Sequence, residues 1–110
     1  MLFYWDDRNT AHIAEHGVDP VEAREVVSAA KRPYPRGLGG EKRQVRGPIR
    51  AGRHLQVIYV WRPVETIDPD QVEPYDRLTL ADVDSVLYVI HARELTVNER
   101  RTARKRRNAP

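Results

Sequence analysis

The chain opens on an apolar and aromatic run, Leu2–Trp5, that turns acidic at Asp6 and suits a short strand. Asp6 or Asp7 can cap a first helix ending near His16, with Gly17 as the left-handed residue after its last turn. Asp19-Pro20-Val21-Glu22 is a stronger helix start. Asp19 caps, Pro20 stands where no N–H is needed, and Glu22 reaches back to the cap backbone. Val18 and Ala23 can staple this turn. The helix runs to about Ala30, with Val21, Val26 and Ala30 expected on its core face.

Pro33, Pro35, Gly37, Gly39 and Gly40 then break regular structure. Glu41–Arg46 reads as a solvated strand, with Glu41, Arg43 and Val45 on one face, and Gly47-Pro48 and Gly52 mark a turn. Leu55–Arg62 is the clearest central strand, rich in β-branched and aromatic residues. Residues 63–84 form a long acidic connection, with one helical turn expected over Leu78–Val83. Val86–Arg93 is the second central strand. Strict alternation puts Val86, Tyr88, Ile90 and Ala92 on one face and Leu87, Val89, His91 and Arg93 on the other. Thr96-Val97-Asn98-Glu99 repeats the capping-box pattern and starts a final helix over 96–107, polar nearly all round. The expected fold is a single α+β domain over 1–110. An N-terminal strand and two helices pack on a mainly antiparallel sheet, the other sheet face stays partly open, and a basic helix closes the chain.

Charge changes the picture more than composition does. The net +3 conceals strong segregation. Residues 31–54 carry eight bases and one acid, and residues 93–107 seven bases and two acids. Between them, residues 63–86 carry seven acids and one base. Two basic blocks bordering neighbouring strands suit a polyanion. The chain has no cysteine, so disulfides and thiolate metal sites are excluded. No signal peptide or membrane span is expected, which makes a cytoplasmic protein the default.

His91 and Arg93, two apart on a strand, place a proton-transfer group and a permanent cation on one surface beside the last helix, whose free N–H groups also favour an anion. Glu41 with Arg43 offers a carboxylate base beside a phosphate-binding guanidinium, against the plainer reading of a solvated edge strand. Arg46, Arg100 and Arg104 extend the basic surface. His12 and His16, four apart, have a spacing that can bind zinc, but no third ligand is evident nearby and Asp6 or Glu15 would be opportunistic, so neither metal nor cofactor is expected. GLGG at 37–40 lacks the Lys-Ser/Thr of a phosphate loop.

FYWDDRNTAHIAEHGVDPVEAREVV resembles the start of the BrnT-like toxins, GRHLQVIYVWR their central strand, and VIHARELTVNERR their closing strand–helix unit. The matching positions are Trp5, Asp6, His16, Gly17, Arg53, Ala92, Arg93, Glu99 and Arg100. Residues 63–84 stand as an acidic insertion against that pattern. The resemblance implies a RelE-like ribonuclease fold, RNA as substrate, and a neighbouring antitoxin, of ribbon-helix-helix type, as partner. Arg53 and His54 lie near the site it implies. The leading expectation is therefore a metal-independent endoribonuclease that cleaves by 2′-OH attack. Arg93, His91, Arg53 and Glu41 are its catalytic candidates, and Arg43, Arg46, His54, Arg100 and Arg104 are its RNA contacts. Arginine would stabilise the charged phosphorane. The alternatives are a non-catalytic RNA-binding module and a protein that acts only in complex with the antitoxin. No membrane partner is expected.

Overall fold

The computed structural model describes residues 2–71 and 80–107, with the side chains of 2–70 and 80–102. They form an α+β domain in which a five-stranded mixed sheet is flanked by helices. The strands are β1 (Phe3–Tyr4), β2 (Arg36–Gly37), β3 (Arg43–Pro48), β4 (His54–Pro63) and β5 (Ser85–Glu94), in the spatial order β1-β5-β4-β3-β2. The helices are α1 (Asp7–Ala14), α2 (Pro20–Ser28) and α3 (Val97–Arg107). Strands β2 to β5 pair antiparallel, and β1 joins β5 in parallel.

The helix starts follow from their caps. Asp19 accepts from the Glu22 N–H at 2.9 Å, and Glu22 accepts from the Asp19 N–H at 3.1 Å. Thr96 and Glu99 make the same reciprocal pair at the start of α3. At α1 the cap is Asp6, closed by Asn9, and the Asn9 side chain also donates to the Tyr4 carbonyl. Helix α1 stops at Ala14, two residues short of the expected end. Gly17 takes a φ of 72°, and the Val18 N–H closes back on the Ile13 carbonyl at 3.1 Å. Asp19→Ala should lower stability by about 1 kcal/mol in urea unfolding, as loss of an N-cap does.

The main core lies between one sheet face and the helices. Ile13, Val18, Ala23, Val26 and Val27 pack on Val45, Leu55, Val57, Tyr59, Leu87, Val89 and Ala92. Three expectations are corrected here. Val21 is 75% exposed. The core stripe of α2 is set by Ala23, Val26 and Val27, and position 21 lies on the far side of it. Glu41 belongs to the turn joining β2 to β3, where Gly39 and Gly40 reverse the chain with positive φ, so it is not a strand residue. In β5 the alternation breaks. Ile58 faces His91 but Tyr59 faces Val89, so Ile90 is an extra, bulged residue. Ala92 therefore joins Leu87 and Val89 in the core, and His91 and Arg93 share the side of Val86, Tyr88 and Ile90.

That second face is not bare. Tyr4, Ile67, Val86 and Tyr88 form a smaller cluster, with Val60, Val64, Leu80 and Ile90 against it. The acidic connection thus folds Val64, Ile67 and Leu80 over one end of the face. The helical turn expected over Leu78–Val83 lies partly outside the described residues. Among the described residues, no helix is long and apolar enough to cross a membrane.

Candidate functional site

The other end of the second face is polar. Arg46 on β3, Gln56 on β4 and Arg93 on β5 stand opposite one another across three strands. Gln44 and Gln56 are buried, and a buried amide in an apolar strand must find a partner. Gln44 Nε2 donates to Gln56 Oε1 at 2.7 Å, and Arg46 Nε donates to the same oxygen at 2.9 Å. The Arg46 guanidinium is thereby aimed at the space before Arg93.

Glu99, one turn into α3, fills that space. Arg93 donates to both of its carboxylate oxygens, at 2.8 and 2.7 Å, and Arg46 Nη2 donates to Glu99 Oε2 at 3.1 Å. Two guanidinium groups converge on one small anion, Arg93 through the two-pronged fork that also fits phosphate oxygens and Arg46 through a single N–H. The Arg93 hydrogen bonds, then that of the Thr96 N–H, hold the Glu99 carboxyl far below the ordinary carboxylate value. Such a group is a poor proton acceptor. A depressed folded value gives stability that is complete above the unfolded value and is lost as pH falls toward the folded one. Acid unfolding of the wild type should therefore steepen below about pH 4.5, the ordinary glutamate value. Glu99→Gln should flatten that slope in pH-dependent denaturation.

His91 and Arg93 do share a face, as their spacing predicted. The His91 ring, however, faces the rings of His16 and His12, at centroid distances of 5.2 and 6.0 Å. Burial, then the charges of His16, Arg93 and His12, push His91 below its ordinary value of 6.5, so it is neutral at pH 7.

The remaining candidates scatter. Arg53 donates to the Gly17 carbonyl and to Glu22, both at 3.1 Å, and lies 3.9 Å from Glu94, so it braces the turn between α1 and α2. His54 opens β4 opposite Pro48, and its carbonyl accepts from the Leu95 N–H at 2.8 Å. Glu41 is exposed in its turn, at the opposite end of β3 from Pro48. Arg43, opposite Tyr59, donates to the Lys42 carbonyl. Arg100 is exposed on the first turns of α3, and the Arg104 side chain lies outside the described residues.

The fold thus gathers Arg46 and Arg93, adds Gln44, Gln56 and Glu99, and leaves Arg53 and Glu41 apart. The two glutamines carried a signal in the sequence, as amides within strands whose neighbours are apolar. A hollow of about 860 Å³ adjoins α1, lined by Arg8, His12, Glu15, Arg62, Tyr88 and Ile90 among others. The Tyr88 hydroxyl reaches Asp6 at 3.1 Å, and Arg62 stacks on the Tyr88 ring. No protein-family model, curated protein or solved structure matches the chain.

Proposed function

We propose that the protein binds RNA, gripping a phosphodiester between Arg46 and Arg93 while the basic α3 follows the adjoining backbone. The convergence of both guanidinium groups on the Glu99 carboxylate carries this reading: one small anion already occupies a position that a phosphate fits. Binding then exchanges Glu99 for a phosphodiester, and the exposed Arg100 and Arg101 add non-specific attraction. A RelE-like scaffold, as in the BrnT-like toxins, is the ancestry we favour, and a ribbon-helix-helix antitoxin is the partner it suggests.

Binding without cleavage is the better-supported form. Glu99 is held as an anion by two arginines, Glu41 is remote from them, and the acidic connection covers the other end of the face. Metal-independent endoribonuclease action is the second reading. It is favoured by His91, whose imidazole lies on the face of Arg93 two residues away. Incubation of the purified chain with single-stranded RNA in excess EDTA separates the two. The binding reading expects a salt-sensitive complex with intact RNA. Cleavage that Arg93→Ala slows about tenfold or more would replace it with the nuclease reading.

A further inference from the structure

The sequence offered two histidines at a zinc-binding spacing and no third ligand near them in the chain. The fold supplies the third. His12 stands in the last turn of α1 and His16 in the turn that follows it, and the bulge in β5 brings His91 against both. One ring nitrogen from each of the three lies within 4.8 Å of the others. A tetrahedral ion with Zn–N bonds near 2.0–2.1 Å needs its nitrogens roughly 3.3 Å apart. The gap of over an ångström is within the reach of side-chain rotation, because His12 and His16 are exposed and hold no place in the core.

We propose that His12, His16 and His91 form a binding site for a divalent ion of the zinc class, with a fourth position left for water or an anion. The donor set fixes the class. Three imidazoles without a thiolate or a ligating carboxylate suit Zn²⁺, and equally Co²⁺ or Ni²⁺ as probes, whereas Mg²⁺ and Ca²⁺ take oxygen ligands. Glu15 fits an outer role. Its carboxylate lies 3.9 Å from His12 Nδ1, beyond hydrogen-bond reach, and a small rotation of these exposed side chains would let it accept that N–H and leave Nε2 for the ion. Closed structural sites use four protein ligands, so three imply an open position. His12 also helps line the hollow next to α1, where Arg8 and Arg62 supply two cations. An anionic ligand is therefore the expected occupant of the fourth position.

This inference is independent of RNA binding, and its test needs no RNA. The full chain, stripped with EDTA and exchanged into metal-free buffer, is titrated with ZnCl₂ by calorimetry and with CoCl₂ by visible absorption. The expected result is one ion per chain, with Co²⁺ giving the absorption of a four- or five-coordinate site. His16→Ala, an exposed position outside the core, should fold normally by circular dichroism and weaken Zn²⁺ binding by about a hundredfold or more, at least the cost of losing an outer-shell partner. Zn²⁺ should raise the melting temperature of the wild type and leave that of His16→Ala nearly unchanged. His91→Ala should lose the Co²⁺ spectrum. Binding that is unsaturable, or equally tight in wild type and folded His16→Ala, would overturn the site.

Discussion

Arg93→Ala should weaken binding of single-stranded RNA by about thirtyfold. A bidentate guanidinium–phosphate contact is worth about 1.5–3 kcal/mol, and each 1.4 kcal/mol is tenfold in affinity. Arg46→Ala should act in the same direction, because Gln56 aims its guanidinium at the same anion. Each loss should also lower the slope of log affinity against log salt by about one, the mark of a phosphate contact. Arg93→Lys should recover the salt slope better than the affinity, since an ammonium keeps the charge but not the planar fork. Fluorescence anisotropy at several salt concentrations reads both quantities. Arg53→Ala serves as the contrast. Its partners are Gly17, Glu22 and Glu94, so it should cost stability at the α1–α2 turn and leave RNA affinity within about twofold.

Leu87→Ala should lower the stability of the fold by about 3 kcal/mol, a large share of what a domain of this size holds. Leu87 is fully buried, and β5 runs between β1 and β4, so the neighbours that would close a cavity are held by pairing on both sides. In urea the transition midpoint should fall with little change in slope. The same strand carries His91 and Arg93, so both sites described above rest on this packing.

The two central strands and two of the three reciprocal caps were legible because each is local. β-Branched runs, Asp19 with Glu22, and Thr96 with Glu99 need no knowledge of the rest of the chain. Two features were not legible, and for one physical reason: each is set by contacts between segments distant in sequence. The bulge at Ile90 arises from the register of β4 on β5, and it moved Ala92 into the core against the alternation read from β5 alone. The histidine triad needs α1 laid against β5, which no spacing between positions 16 and 91 encodes. The Val21 error was local instead: Ala23, Val26, Val27 and Ala30 keep the helical period of the core stripe, and position 21 falls off it. The arginine site was half legible. Arg93 and Arg46 were candidates from charge and strand position. Glu99 was recognised as a capping residue, but not as the anion that holds both guanidinium groups.

Glu99 therefore gives the most direct test. Glu99→Gln keeps a capping-box residue and removes the carboxylate that occupies the proposed phosphate position. RNA affinity of this variant, measured by anisotropy beside the wild type and with helix content checked by circular dichroism, should rise about tenfold, since the competing ion pair is gone. Unchanged or weaker RNA binding by folded Glu99→Gln would contradict the account, because Arg46 and Arg93 would then be no more than the anchor of α3.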